Sequence, residues 1–406
     1  MFTIKSKRII TIVLIIVLIF SGFFTTYADD SKDIFQNKLH SKSVALIEGL
    51  NGNLLYGKNE NIPLAMASTT KIMTCIIALE YGNMNEVIKV SKKAQTQPKV
   101  HLGMKAGEEY ILKDLLYSLM LESHNDSAVC IAEGVSGSVE EFASLMNKKA
   151  KELGLNNTYF ITPNGLDETD EIGEHHTTAL ELAKIMKYCT CDSDKKDEFL
   201  EITQTRNYSF SEKNSKRVFN CTNHNLLFDK MDGIISGKTG YTSKAGYCYI
   251  GALQMEGRVY IVALLACGWP NNKNYKWEDA KLLLNYGKDN YYYIDINQLY
   301  FPDDILDRKK VVFKNENMDE KYVDVNTENT YCKSRYIIVH KDSKASMIYN
   351  ATESIVTPVK LGEQVGFIEY YIDGELIKKV ILTSSKTFDE PDISYFFKKV
   401  FNCFIL

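Results

Sequence analysis

Three short polar clusters, far apart in the chain, could act on one substrate: Ser68-Thr69-Thr70-Lys71, Ser123-His124-Asn125 and Lys238-Thr239-Gly240. A serine hydroxyl is a poor nucleophile until a neighbouring base takes its proton. Three residues on along a helix, Lys71 would stand on the same face as Ser68, amine beside hydroxyl. To act as that base it must give up its own proton near neutrality. Desolvation and a nearby cation both favour this, and Lys238 is the candidate cation. Ser123 could relay a proton toward a leaving amine, and Asn125 could hold a substrate peptide bond or orient Lys71. Lys238 and Thr239 could receive a free carboxylate on a strand edge where an extended substrate pairs, with Gly240 allowing close approach. Singly, each cluster has an ordinary explanation: Ser68 as a helix N-cap, Lys-Thr-Gly as any strand end. Together and in this order they make nucleophilic catalysis the expectation.

The surrounding pattern supplies elements to carry them. Val44–Ile47, the turn Gly49–Asn53 and Leu54–Tyr56 read as a hairpin around Asn-Gly. Thr69–Tyr81 is apolar nearly all round, predicting a buried helix with Ser68 at its entrance. Leu112–Leu121 and Asp126–Val135 predict two helices broken at Glu122–Asn125. Val139–Leu153, stopped by Gly154, and Thr178–Tyr188 predict two more. Tyr247–Met255 and Val259–Cys267 read as strands, and Lys276–Tyr286 as a closing helix. Beyond about Asn290 only short strands follow, at Val311–Phe313, Tyr336–Val339, Val365–Ile372 and Ile377–Thr383.

Composition narrows the function classes. The 406 residues suffice for two domains, and a net charge of −4 argues against a nucleic-acid partner. Lys5, Lys7 and Arg8 precede the apolar run Ile9–Phe20, with Thr26-Tyr27-Ala28 as the expected cut. This is the pattern of a secretory signal; an uncleaved anchor is the alternative, and both predict an extracytoplasmic protein. The nine cysteines are odd in number and mostly lie singly in apolar segments, so buried thiols are expected rather than a disulfide framework. Cys189-Thr190-Cys191 lacks zinc-ligand spacing, as do His175, His176 and His224, so neither a metal nor an organic cofactor is expected. The aromatic stretch Ile393–Leu406, with Lys398 and Lys399, predicts a helix lying peripherally in a membrane interface.

The context of the clusters resembles the D-alanyl-D-alanine carboxypeptidases, the low-molecular-weight penicillin-binding proteins of peptidase family S11. Pro63-Leu64-Ala65-Met66-Ala67-Ser68-Thr69-Thr70-Lys71 is similar to that family's active-site segment, and Lys238-Thr239-Gly240-Tyr241-Thr242 to its third motif. Pro163-Asn164-Gly165-Leu166 with His175-His176-Thr177-Thr178 resembles its intervening signature. The resemblance implies an α/β (α+β) β-lactamase/transpeptidase-like catalytic domain, an antiparallel sheet flanked by helices plus an all-helical cluster, followed by a small all-β domain. The corresponding division is 1–28 signal, 29–290 catalytic domain, 291–386 β domain and 387–406 tail.

It further implies that Ser68 is acylated with Lys71 as its base, that Ser123 is catalytic, and that Asn125, Lys238, Thr239 and Gly240 bind substrate. The backbone N–H groups of Ser68 and Tyr241 would form the oxyanion hole. The implied partners are peptidoglycan stem peptides and β-lactams. One departure is His124, where the family more often has glycine; its imidazole is expected to point away from the cleft. Three rivals stand beside this reading. Glu152-Leu153-Gly154-Leu155-Asn156 matches the Glu-x-x-Leu-Asn signature of a class A β-lactamase, although it reads as a helix stop. A catalytically idle penicillin-binding protein and a transpeptidase are the others.

Overall fold

The computed structural model describes residues 38–215, 217–299, 309–312, 321–351, 354–390, 392, 394, 397, 400 and 401. The expected signal segment, residue 313 of an expected strand and most of the expected tail helix lie outside them. The chain divides into two compact units. One runs through Gln254 and again over Ile261–Leu283; the other takes Met255–Tyr260 and the chain from Leu284 onward.

The first unit is built on an antiparallel hairpin, β1 (Ser43–Glu48) and β2 (Leu54–Lys58). Its turn is tied by the buried Glu48 carboxylate, which accepts from the backbone N–H groups of Leu50, Asn51 and Asn53 at 2.6–3.0 Å. The strands β3 (Ile234–Thr242), β4 (Gly246–Met255) and β5 (Arg258–Leu265) complete a five-stranded sheet in the order β2-β1-β5-β4-β3. That order leaves β3, which carries Lys238-Thr239-Gly240, at an edge.

Helix α1 (Lys71–Tyr81) is buried from Lys71 through Leu79, as an all-round apolar helix must be. Helix α2 (Leu112–Tyr117) widens into a π-type turn over Ser118–Glu122. Helix α3 (Asn125–Ser136) follows after only Ser123 and His124. Helix α4 (Val139–Glu152) is N-capped by Ser138, whose hydroxyl accepts from Glu141 N–H at 3.0 Å, and ends before Gly154 at φ +70°. Helices α5 (Ala179–Lys187), α6 (Lys196–Gln204) and α7 (Tyr275–Asn290) follow, and a further α-helical turn lies at Lys92–Gln95. Two small hairpins were not anticipated, Val87–Lys89 with Glu109–Ile111 and Asn207–Ser211 with Val218–Thr222.

Between Tyr291 and Glu390 the described residues of the second unit form strands, with a single helical turn at Ile296–Gln298. Its largest sheet orders Val325–Cys332, Glu375–Ser384, Gln364–Ile372 and Ala345–Ala351 side by side. Ile368, Tyr370, Val380 and Leu382 fill its core. The fold class is therefore the one expected, a mixed helix-and-sheet unit followed by a β unit. The eight described cysteines are unpaired, and all but Cys191 and Cys332 are buried.

Candidate active site

The turn that presents Ser68 is held from three sides. Ala67–Thr70 forms a single 3₁₀ turn leading into α1, and Ala67 itself adopts φ +49°, a region that costs a non-glycine residue energy. The Thr70 hydroxyl donates to the Ala67 carbonyl at 2.9 Å and lies 2.8 Å from His175 Nε2. Because Ile161 N–H donates to His175 Nδ1 at 3.0 Å, the ring is the neutral tautomer that donates from Nε2 to Thr70. Burial pushes this imidazole down to about 3, so it stays neutral. Gly165, at φ +82°, packs so closely that a Cβ there would fall 2.0 Å from the Ala67 carbonyl oxygen. On the opposite side a Cβ on Gly240 would lie 2.9 Å from Ser68 N. The two glycines let a loop and a strand close on the nucleophile's backbone.

Lys71 Nζ lies 2.8 Å from Ser68 Oγ, 2.9 Å from Asn125 Oδ1 and 2.6 Å from the Asn164 carbonyl. Two of these partners are oxygens that can only accept. Once the ammonium loses a proton, its two remaining N–H bonds are claimed by Asn125 and Asn164, and the lone pair is left facing the Ser68 hydroxyl. Asn125 is itself oriented, since its Nδ2 donates to the Pro98 carbonyl at 3.1 Å. Burial, and next the charge of Lys238, hold the Lys71 amine well below its ordinary value, while Asp126 opposes them.

Asp126 was not singled out in the sequence, yet its buried carboxylate accepts from Leu102, Gly103, Met104 and Ser127 N–H groups at 2.8–3.2 Å. It thereby ties the 100–104 loop to the start of α3. Asn164 was likewise missed as a partner of Lys71.

Ser123 follows the π-type turn with φ +66°, and its buried Oγ has no hydrogen-bond partner among the described residues. A buried hydroxyl left open is a group awaiting a ligand or water. Its neighbour Glu122 accepts from Thr222 N–H and pairs with His224 Nε2, both at 2.7 Å. His124 turns aside: its Nδ1 lies 2.8 Å from Ser118 Oγ, which in turn meets Ser127 Oγ at 2.7 Å.

A cavity of about 600 Å³ opens against Ser68, Ser123, Thr239, Gly240 and Tyr241. Lys71, Asn125 and Lys238 lie buried outside its lining. Lys238 donates to the Thr239 carbonyl at 3.0 Å, and burial pushes its amine down to about 7, with Glu122 opposing. All eight site residues drawn from the sequence thus belong to one unit and converge from α1, the α2–α3 junction and β3. Glu152 does not join them: it ends α4 beside Lys149, 3.4 Å away, and is absent from the cavity wall. No cluster of histidine, cysteine and carboxylate side chains that could hold a metal occurs among the described residues.

The sequence profile of the D-alanyl-D-alanine carboxypeptidase family matches residues 30–267. This chain belongs to that family. The profile of the penicillin-binding protein 5 C-terminal domain matches residues 297–390, so the carboxypeptidase family's β unit is present as well. The D-alanyl-D-alanine carboxypeptidase DacF of Bacillus subtilis is 27% identical over 402 residues, covering 97% of each chain. DacB2 of Mycobacterium tuberculosis is 30% identical over 237 residues, 58% of this chain and 78% of that one. Among solved structures, the carboxypeptidase DacD of Francisella tularensis shares the fold with a TM-score of 0.63, at 21% identity over 87% of this chain and 94% of its own.

Proposed function

We propose that this chain is a penicillin-sensitive serine D-alanyl-D-alanine carboxypeptidase that removes the terminal D-alanine from peptidoglycan pentapeptide stems. The observation that carries the reading is the Lys71 amine, held by two acceptor-only oxygens with its remaining valence toward Ser68. Ser68 attacks the penultimate carbonyl while Lys71 takes its proton. The backbone N–H groups of Ser68 and Tyr241 stabilise the oxyanion. Ser123 relays the proton to the departing D-alanine amine, and its unpartnered hydroxyl suits that task. The terminal carboxylate docks at Thr239 and toward Lys238, whose lowered proton affinity rises again when an anion binds. Asn125 orients Lys71, and it receives the substrate amide by turning its Nδ2 from the Pro98 carbonyl. Water then hydrolyses the Ser68 ester, returning the proton through Lys71.

A β-lactam enters the same sequence, its ring amide opening onto Ser68 to leave a long-lived ester. His124, the one feature favouring an idle protein, is engaged with Ser118. The exported location and the tail's attachment to the outer face of the membrane are part of the proposal, supported by the apolar run Ile9–Phe20 and the aromatic Ile393–Leu406. The test is release of D-alanine from diacyl-Lys-D-Ala-D-Ala together with covalent uptake of labelled penicillin. Both should vanish in Ser68→Ala, and label retained by that variant would refute the assignment of the nucleophile.

A further inference from the structure

The cavity is larger than a terminal dipeptide fills, and the part of its wall beyond Tyr241 is used by none of the steps above. There Tyr241 faces its cross-strand partner Tyr247, ring centroids 4.7 Å apart. Lys276 Nζ sits 4.6 Å over the Tyr247 ring and 4.9 Å from the Trp277 ring. Lys276 is only 7% exposed, yet its one hydrogen bond among the described residues goes to the Lys273 carbonyl. No carboxylate among the described residues pairs with Lys276, Lys273 or Lys99, all three of which line the cavity. A buried ammonium without a counter-ion is costly, and native proteins rarely leave one unpaired. The two aromatic faces offset part of that cost while leaving the charge available.

The direction of the strand says which part of a substrate reaches this corner. A peptide pairing antiparallel with β3, its C-terminal carboxylate at Lys238 and Thr239, runs its preceding residues toward Tyr241 and Thr242. With the penultimate carbonyl held at the Tyr241 N–H, the third stem residue follows about 3.4 Å further along, opposite Thr242 and beside the Tyr241–Tyr247 pair.

We propose that Lys276, aided by Lys273, recognises a carboxylate at the end of the third residue's side chain, making this enzyme selective for stems carrying a diamino dicarboxylic acid there over stems carrying lysine. The inference rests on the carboxypeptidase reading. Burial, and then repulsion from Lys273, push the Lys276 amine down to about 8, so it remains largely a cation at neutral pH. The diamino dicarboxylic side chain ends in an ammonium and a carboxylate together and is net neutral, whereas lysine brings the ammonium alone to a cationic corner, so the preference has a repulsive element as well as an attractive one.

The test compares two peptides that differ by that single carboxylate: acetyl-meso-diaminopimelyl-D-Ala-D-Ala and acetyl-lysyl-D-Ala-D-Ala, both with free side-chain amines. The full chain should prefer the first by about ten- to a hundredfold in kcat/KM, the range of one charge-assisted contact. Lys276→Met should bring the ratio close to one. Lys273→Gln, at an exposed position unable to disturb folding, should reduce it partly. Labelled-penicillin uptake checks that each variant retains a formed site. Equal release from both peptides overturns the inference and leaves the carboxypeptidase standing, as does a preference that survives both substitutions. Release from neither peptide overturns the carboxypeptidase reading and the inference with it.

Discussion

Replacing Asn125 by aspartate keeps the side chain's shape and places a negative charge 2.9 Å from the Lys71 amine. With an effective dielectric of about 20, a unit pair at that separation interacts by about 6 kcal/mol. Burying the new carboxylate, and losing its donor to the Pro98 carbonyl, takes back part of this. About 3 to 4 kcal/mol of net attraction remains, and it raises the Lys71 amine against the lowering that its burial and Lys238 produce. The neutral amine would then be scarce at pH 7, and acylation of Ser68 should slow by about a hundred- to a thousandfold. Crucially, the loss should be repaired by alkali, about tenfold per pH unit until Lys71 is deprotonated. The assay is the second-order rate of fluorescent-penicillin attachment between pH 6 and 10, with Asn125→Ala as the control that removes the acceptor without adding charge. If Asn125→Asp and Asn125→Ala are slowed with parallel pH profiles, Lys71 is not the group whose proton limits acylation, and the reasoning fails.

Two further outcomes depend on proton affinities elsewhere. Lys238, pushed down to about 7, must be cationic to meet the substrate carboxylate, so kcat/KM should fall above that pH in the wild type. Lys238→Arg keeps its charge and should move the alkaline fall outward by more than a unit; a wild-type profile flat to pH 9 would contradict this. His175 binds its proton near 6.5 when unfolded but only near 3 when folded. Since the unfolded chain takes up the proton first, stability is lost as pH falls below about 6.5, at about 1.4 kcal/mol per unit. Urea midpoints should show wild type losing about 2 kcal/mol more than His175→Gln between pH 6.5 and 5. Equal losses would remove His175 as the source.

The features legible in the sequence share a physical property: their meaning is local. The Ser68–Lys71 spacing needs only a helical turn, and the buried run of α1 needs only its composition. What escaped notice needs partners far away in the chain. Lys71 meets Asn164 across 93 residues, and Thr70 meets His175 across 105. The four N–H groups gathered by Asp126 come chiefly from a loop more than twenty residues earlier. The hairpin Asn207–Thr222 is a different miss. Tyr208, Phe210, Phe219 and Cys221 do alternate with polar residues, but the segment is so polar that the alternation does not stand out. His124 shows the reverse: its type drew attention, and only the Ser118 and Ser127 hydroxyls reveal it as ordinary structure.

The position of β3 has one more consequence. A strand whose outer edge is kept open for a peptide is also open to the same strand of another copy, the usual route to edge-to-edge aggregation. Here the opening is short. Asn225 packs against Gly237, the Ser68 turn closes on Gly240, and Tyr241 is the one exposed residue of the strand. An opening of that length is long enough for the end of a stem peptide and too short to seat a whole strand. The same close packing that fixes the nucleophile therefore also guards the strand against pairing with a second copy.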